Sequence, residues 1–362
     1  MSGDARRGRG LLRLVRAGDW WQFHLLPLLA AAYAAIVLYA TPPGAALPAL
    51  LRLLLSIVFI AAYSHVVNDA ADAEQDALAG KPSRVGALAP GWRAAAALLP
   101  LACGVAVWAG AGLSARTLAL LAGIVALQPL YALRPVRLKE RGAWGLAADS
   151  LHTHALPTLY CFSLFADVAG ASPWGAVPLA ATAWSFLVGL RGILYHQRVD
   201  EAGDRLAGVS TWVTTHGSER AAALARRRVF PAELAALAVL GAALLPVAPA
   251  AVACFAGYGL LAQLPRWAGA QPHSLADPAP ADRGSYVPLL AFYRTWPALA
   301  FALLLAARHP AYLALAALHV LVFAGPVLHA AADLWELLRW TARAPAGVLR
   351  RLSRAPRAPR LR

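Results

Sequence analysis

The sequence predicts an all-α protein that crosses a membrane many times. Of its 362 residues, 60% are hydrophobic and only 14% are charged, whereas a soluble domain of this size carries far more charge. The apolar residues are also collected into runs near the roughly 20 residues that a helix needs to cross a bilayer. These two observations predict a polytopic transmembrane helical bundle with nine to ten spans.

Ten apolar segments are the candidate spans. Two of them are short, and another is interrupted by Arg294 and Pro297, so the predicted number is nine or ten. The segments lie at about 20–40, 47–67, 93–111, 115–133, 144–166, 175–196, 230–247, 250–266, 286–306 and 310–329. The predicted domains are a basic N-terminal segment at 1–19, a transmembrane domain at 20–330, and an interfacial helix with an Arg/Pro-rich tail at 331–362.

The charge distribution favours a membrane surface as partner and argues against nucleic acid. The net charge of +15 comes from 33 basic and 18 acidic residues, and arginines are concentrated at the two ends of the chain. An anionic membrane surface explains such ends, and no basic-aromatic module supports nucleic-acid binding. Loops rich in basic residues alternate with short loops that are poor in them. If there are ten spans, this pattern predicts that both termini and the charged loops are cytoplasmic, in an inner or cell membrane of bacterial type.

The first acidic cluster directly follows the second candidate span. If a helix continues out of that span, Asp69, Asp72 and Asp76 share one face, with Asn68 one turn before Asp72. Three carboxylates this close repel one another unless a cation lies among them, and Mg²⁺ takes oxygen ligands. The stretch therefore predicts a metal site.

A second acidic cluster lies at the end of the sixth candidate span. Asp200 and Asp204 are one helical turn apart, and His196 lies a further turn back on the same face. Two acidic clusters at one membrane face could hold two Mg²⁺ ions with a diphosphate bridging them. A solvated helix end explains either cluster alone, but it explains the pair poorly in so basic a chain.

Basic residues accompany both the first cluster and the loop after the fourth span. Lys81 and Arg84 follow the acids at once, as an anion site beside a metal requires. Arg134, Arg137 and Lys139 could be anchors that face the cytoplasm, yet charged donors also neutralise diphosphate oxygens. We expect Lys81 and Arg84 to bind the diphosphate together with one or two of these three, and we assign Arg137 and Lys139 to it.

These motifs resemble the UbiA superfamily of intramembrane prenyltransferases, from the first span through at least the eighth. The resemblance rests on the motif from Asn68 to Asp76, on Lys81 and Arg84, on the Lys139 loop, and on the Asp200 to Asp204 motif with Gly208 and Thr211. It implies two Mg²⁺ sites that hold the diphosphate of a polyprenyl donor. The implied ligands are Asn68, Asp69, Asp72 and Asp76 in the first site and Asp200 and Asp204 in the second, with Asp69, Asp72 and Asp200 as the catalytic members.

The resemblance also implies a reaction, namely Mg²⁺-dependent transfer of the prenyl group to an acceptor with release of diphosphate. Stabilising the leaving diphosphate lets the allylic C1–O bond ionise, and an apolar cavity keeps water away from the cation. An aromatic or quinone precursor is the favoured acceptor, with a phosphosugar acceptor or terpene cyclisation as alternatives. A transporter or cation-binding protein is the alternative from another class, but transporter sites favour broken helices near the midplane.

Four further residues are assigned to the acceptor or to its cavity. Asp149 and His152 share a face early in the fifth span, where ionisable side chains usually face a bundle interior. His196 and Gln197 precede the second motif where the menaquinone and tocopherol branches of the superfamily are expected to carry other polar residues. His154 is expected to be structural. His24, Arg191 and Arg294 are similar candidates, for which snorkelling or helix–helix contacts are the simpler explanation.

Overall fold

The computed structural model describes residues 17–78, 80, 83, 85–257 and 290–343. All regular secondary structure within these residues is helical, as the sequence predicts. The α-helices are α1 (Ala17–Leu38), α2 (Pro43–Ala71), α3 (Ala73–Leu78), α4 (Pro90–Ala106), α5 (Ala115–Ala132), α6 (Ala143–Ser150), α7 (Leu156–Ala169), α8 (Ala176–Leu206), α9 (Trp212–His216), α10 (Ser218–Leu224), α11 (Phe230–Leu244), α12 (249–257), α13 (Leu290–Arg308), α14 (Leu313–Val322) and α15 (Ala324–Arg343).

Two pairs of consecutive helices are each joined by a π-helical turn. The turn Leu151–Ala155 joins α6 to α7, and the turn Ala225–Val229 joins α10 to α11. A π turn accommodates an additional residue in the helix and is found frequently at functional sites. The first of these turns carries His152 and His154, so it lies within the segment that the sequence assigns to the acceptor cavity.

Local sequence signals explain where several helices begin and end. Proline occupies the first helical turn of α2 and of α4, where its missing N–H removes no hydrogen bond. The Ser114 hydroxyl accepts from the Thr117 N–H and caps α5. Gly170, with φ of 65°, ends α7 in the left-handed conformation that glycine adopts without strain.

The core is apolar and is built from most of the long helices. Helix α1 packs between α7 and α13, α2 packs along α4, and α8 packs along α11. The largest fully buried side chains include Tyr33, Tyr160, Phe162 and Phe165. A smaller cluster that includes Leu194 and Val213 joins α8 to the short helices α9 and α10, and it therefore supports the end of α8 that carries the second acidic cluster.

Three described helices, α2, α5 and α8, are long and apolar enough to cross a membrane. Helices α14 and α15 meet at an angle of 81° and give a fourth candidate if they are taken as one broken span. The predicted count of nine to ten spans stays a prediction. Among the helices at the other predicted spans, α4 has 17 residues, and a π turn separates α6 from α7. Much of the predicted eighth span lies outside the described residues.

A network of polar side chains, which we call the polar clasp, joins the start of α5 to the end of α7. Its members are Ser114, Arg116, Thr117, Ser163 and Asp167. The Asp167 carboxylate accepts from the Ser114 hydroxyl at 2.8 Å and from the Thr117 hydroxyl at 2.6 Å. Arg116 donates to the other carboxylate oxygen at 2.7 Å and to the Ser163 hydroxyl at 3.1 Å. This clasp holds the two helices together at the opposite ends from the Lys139 loop and Asp149.

Candidate active site

The first acidic cluster lies at a break in the helix. Helix α2 ends at Ala71, and Asp72 adopts φ −101° and ψ 1° before α3 begins at Ala73. The prediction of an uninterrupted helix is therefore wrong at Asp72. Hydrogen bonds from the Asp72 N–H to the Asn68 carbonyl at 2.9 Å and from the Asp76 N–H to the Asp72 carbonyl at 2.8 Å nevertheless keep the i to i+4 pattern from which the shared face was predicted.

Two cations from the loop after α5 contact Asp72. Arg137 Nη2 lies 3.1 Å from Asp72 Oδ1, and Lys139 Nζ donates to the same oxygen. Both basic side chains are almost completely buried. Hydrogen bonds between ionised partners are the stronger class of hydrogen bond, and they are less screened when the pair is buried. Arg137 and Lys139, two of the predicted diphosphate-binding residues, thus contact Asp72, one of the predicted metal ligands.

The Arg137 backbone is in a conformation that is uncommon for a residue with a side chain. Its φ of 42° and ψ of 60° fall in the left-handed region, where a non-glycine residue is strained. Its guanidinium is fixed by Glu140 Oε1 at 2.6 Å and by the Ala132 carbonyl at 3.1 Å. These contacts stabilise the turn and hold the guanidinium toward Asp72.

Lys139 carries its charge in a buried setting. Burial lowers the pKa of Lys139, and the neighbouring Asp72 carboxylate opposes this by favouring the charged form. An anionic ligand beside the ammonium would act in the same direction as Asp72. The site is therefore arranged to receive negative charge next to Lys139.

The second acidic cluster lies on uninterrupted helix. Helix α8 runs from Ala176 to Leu206, so Asp200 and Asp204 keep the one-turn spacing that the sequence predicts. His196 Nε2 lies 3.3 Å from Asp200 Oδ2, one turn earlier on the same face. Glu201 instead accepts from Arg205 at 2.7 Å and from the Ser218 hydroxyl, which ties this end of α8 to α10.

Tyr131 lies within electrostatic range of one carboxylate from each acidic cluster. The carboxylates of Asp72, Asp149 and Asp204 are all close enough to the Tyr131 phenol to act on it electrostatically. These residues belong to four separate elements, namely α5, the end of α2, α6 and α8. The sequence analysis did not single out Tyr131 as a site residue. The available signal was its position, directly before the loop that carries Arg137 and Lys139.

The donor set fits a metal ion that shares its ligands with a phosphate. Within the described residues, no three His, Cys, Asp or Glu side chains come together closely enough to hold one ion by themselves. Mg²⁺ is usually held by one or two carboxylates together with substrate phosphate oxygens, and less often by a cage made of protein alone. Carboxylates on two elements, with two cations beside one of them, fit the first arrangement.

The other predicted residues fall into different surroundings. Gln197 is buried and accepts from the Val213 N–H at 3.3 Å, so its side chain anchors α9. His152 is buried in the π turn, one turn after Asp149. Lys81 and Arg84 lie outside the described residues, but the Ser83 hydroxyl between them donates to the Asp69 carbonyl at 3.3 Å.

Arg191 forms a helix–helix contact, in agreement with the simpler interpretation of this residue. Its guanidinium donates to both carboxylate oxygens of Glu233, at 2.6 and 2.7 Å, and lies 5.0 Å from the centre of the Phe230 ring. The pair is buried and joins α8 to α11. The side chain of Arg294 lies outside the described residues.

Solved structures with the same fold are UbiA homologues. The chain is similar to a UbiA homologue from Archaeoglobus fulgidus bound to DMAPP and Mg²⁺, with a TM-score of 0.58, 18% identity and coverage of 85% of this chain and 99% of that chain. The same homologue bound to GPP and Mg²⁺ gives a TM-score of 0.59 and 17% identity, with the same coverage of 85% and 99%. Its Cd²⁺-bound structure gives 0.52 and 18%, with coverage of 81% and 99%. These likenesses concern the fold.

Comparison of sequences identifies the family. No curated protein matches the chain. The sequence profile of the UbiA prenyltransferase family matches residues 28–279, which include both acidic clusters, the Lys139 loop, and the helices from the second half of α1 to α12. Because this match covers more than half of the sequence, the chain belongs to the UbiA prenyltransferase family.

Proposed function

We propose that this protein is a membrane prenyltransferase that moves a prenyl group from a polyprenyl diphosphate to an acceptor and releases diphosphate. The observation that carries the proposal is the contact of Arg137 and Lys139 with Asp72, which places two buried cations on a carboxylate of the first acidic cluster. Membership of the UbiA family supports it over the transporter alternative. Relatives of the same fold bound to DMAPP or GPP together with Mg²⁺ support the donor class and the cofactor.

The proposed metal ligands are the polar residues of the two clusters. Mg²⁺, when bound, would stabilise the negative charge that develops on the departing diphosphate. Asp69, Asp72 and Asp200 are the proposed catalytic members, which come from both acidic clusters. The full proposed set is Asn68, Asp69, Asp72, Asp76, Asp200 and Asp204.

Arg137 and Lys139 are the proposed diphosphate donors. Their side chains already lie beside a carboxylate at the point where phosphate oxygens would need neutralising, so little rearrangement is required to share them with a ligand. Lys81 and Arg84 are proposed as further donors. The C1–O bond of the donor then breaks with its electron pair on the diphosphate, and the surrounding bundle excludes water from the allylic cation.

The proposed active site faces the cytoplasm. The acidic clusters follow α2 and α8 and are accompanied by basic loops, which the distribution of Lys and Arg favours on the cytoplasmic side. An aromatic or quinone precursor remains the proposed acceptor. Asp149, His152, His196 and Gln197 are its proposed cavity residues, with Gln197 acting through its contact with α9.

Diphosphate release by the purified protein tests this function. In lipid nanodiscs with labelled geranylgeranyl diphosphate or longer donors, we expect diphosphate release and new lipid products that disappear when Mg²⁺ is chelated. Asp72→Ala and Asp200→Ala are expected to abolish turnover, whereas Glu219→Gln, at an exposed carboxylate on α10, should leave it unchanged. Turnover that survives in both alanine variants would show that the two-cluster mechanism is wrong.

A further inference from the structure

Each of the two loops that contain the proposed diphosphate donors is bound by an arginine next to the following helix. The loop between α3 and α4, which we call the first basic loop, contains Lys81 and Arg84, and the Lys139 loop connects α5 to α6. Arg93 lies in the first turn of α4, and Arg141 lies just before α6 begins. The two arginines therefore occupy equivalent positions relative to the two loops.

The Arg93 side chain binds two backbone carbonyl groups of the first basic loop. Its Nε atom donates to the Leu88 carbonyl at 2.7 Å, and its Nη2 atom donates to the Gly86 carbonyl. A guanidinium presents its N–H groups in a rigid planar fork, so it can hold two carbonyl groups in a fixed arrangement. Arg93 thus fixes the main chain between Gly86 and Leu88.

The same arrangement occurs in the Lys139 loop. Arg141 Nε donates to the Val136 carbonyl, and Arg141 Nη2 donates to the Pro135 carbonyl at 2.9 Å. In both loops the same two guanidinium nitrogens bind carbonyl groups that lie a few residues earlier in the chain. The Arg141 side chain is exposed, so its removal leaves no cavity in the core.

The first basic loop contacts the first acidic cluster directly. The Ser83 hydroxyl donates to the Asp69 carbonyl at 3.3 Å and accepts from the Gly86 N–H at 2.9 Å. A Cβ atom at Gly86 would lie 2.7 Å from the Ala73 Cβ atom, so the loop backbone lies too close to α3 for a side chain. Because Arg93 binds the carbonyl of this same Gly86, it holds the loop against the cluster.

The Lys139 loop reaches the same cluster through Arg137. This residue directly follows the two whose carbonyl groups Arg141 binds, and its φ of 42° lies in the left-handed region. Such a conformation persists only where surrounding contacts fix it. The Arg141 contacts fix the backbone immediately before Arg137, whose guanidinium contacts Asp72.

We propose that Arg93 and Arg141 are positioning residues for the diphosphate of the prenyl donor. Each holds the main chain of one loop through two carbonyl groups, so that the basic side chains of that loop meet the phosphate oxygens in a fixed geometry. This inference rests on the proposed prenyl transfer. It differs from direct attraction of the diphosphate by the charge of the two arginines, and the test separates these roles.

Amide hydrogen exchange and donor binding together provide the test. Full-length protein in nanodiscs is compared with Arg93→Met and Arg141→Met, which keep a long side chain and remove its hydrogen-bond donors. Hydrogen exchange without donor, followed by mass spectrometry, reports the local opening of each loop. Titration calorimetry with Mg²⁺ and a non-hydrolysable geranylgeranyl diphosphate analogue reports the Kd.

We expect each methionine variant to loosen its own loop and to weaken donor binding. Exchange in that loop should become about 10-fold faster, and the Kd should rise by about 10-fold, because two hydrogen bonds to the loop are lost. Arg93→Lys and Arg141→Lys keep the charge without the planar fork, so their Kd should stay at least about threefold above that of the wild type. Arg220→Met is the matched control, since Arg220 is an exposed arginine on α10, outside both loops.

Three results would overturn the inference. The first is an unchanged Kd in both methionine variants. The second is weaker binding with unchanged loop exchange, since the arginines would then act by their charge. The third is binding of the donor by both lysine variants with the wild-type Kd.

Failure of the proposed function would be recognised separately. A wild-type protein that binds no prenyl diphosphate analogue would contradict the proposed function, and the inference with it, whereas the three results above leave wild-type binding intact. If Arg93→Met fails to fold, Arg141→Met decides, because Arg141 is exposed: an unchanged Kd in that variant would overturn the inference.

Discussion

Arg137 donates to the Asp72 carboxylate over 3.1 Å and joins the end of α2 to the loop after α5, although the two residues are 65 positions apart in the sequence. Lys139 donates to the same oxygen. The carboxylate that we propose as a metal ligand is thus held by the two cations that we propose to bind phosphate oxygens. The pairing stabilises the charges of all three side chains, of which Arg137 and Lys139 are buried.

Replacing Arg137 should weaken binding of the donor. Arg137→Ala removes a charged hydrogen-bond donor, which is worth about 1.5–3 kcal/mol, so the Kd for a non-hydrolysable prenyl diphosphate analogue should rise by about 10-fold to 100-fold. Titration calorimetry in detergent measures the change. Arg134→Ala is the matched control, since Arg134 is exposed on the same loop. Equal affinities in the two variants would remove Arg137 from the diphosphate site.

Mg²⁺ alone should stabilise the protein less than Mg²⁺ with a donor analogue. No three acidic or histidine side chains form a cage for one ion among the residues that the structure describes, so phosphate oxygens are needed to complete the coordination. A ligand that binds the folded state raises the unfolding temperature according to its saturation. Thermal unfolding in nanodiscs measures this. A full shift with Mg²⁺ alone would indicate a preformed protein cage.

Gly189→Ala should disturb the π turn. Its Cβ atom would lie 2.6 Å from both His154 and Ser150, and overpacking of this kind costs typically about 1–3 kcal/mol. We expect a lower unfolding temperature and reduced prenyl transfer. Gly192→Ala, on the same helix, meets no atom within 4 Å and is the matched control. Identical behaviour of the two variants would show that the close packing at Gly189 is unimportant.

Removing one partner of the Arg191–Glu233 pair should destabilise the bundle. Glu233→Gln or Arg191→Met leaves one buried charge unpaired, and such changes typically cost about 3–5 kcal/mol. The double substitution Arg191→Met with Glu233→Leu should recover much of that loss, because neither charge remains. Thermal unfolding of the three variants provides the comparison. A double variant less stable than either single one would contradict this interpretation.

Asp167→Ala should affect stability without affecting donor binding. The carboxylate accepts from Ser114, Arg116 and Thr117, and leaving such donors unsatisfied costs about 1–3 kcal/mol each at buried positions. The unfolding temperature should fall. The Kd for the donor analogue should stay unchanged, since the clasp lies at the opposite end of α5 from Tyr131. Weaker donor binding would connect this clasp to the site.

Local sequence patterns were sufficient for much of the fold. Apolar runs predicted α1, α2, α4 and α5 to within about five residues, because helix formation by such segments depends on neighbours in sequence. The run at 175–196 predicted where α8 begins, but α8 continues to Leu206, and the short acidic helix α3 corresponds to no apolar run. The one-turn spacing of Asp200 and Asp204 was predicted correctly for the same reason, since both residues lie on the continuous helix α8. The break at Asp72 was not predicted, because one residue can leave the helical conformation without changing the periodicity that surrounds it.

The sequence by itself determined the helical class, the two acidic clusters and the resemblance to the UbiA superfamily, since each depends on residue type and short-range spacing. Only the tertiary structure decided which charges meet. It paired Asp72 with Arg137 and Lys139, brought Tyr131 into range of both clusters, and joined His24 to the π turn. These contacts link helices that are far apart in the chain, and side-chain packing between helices fixes them in a way that no periodic pattern encodes.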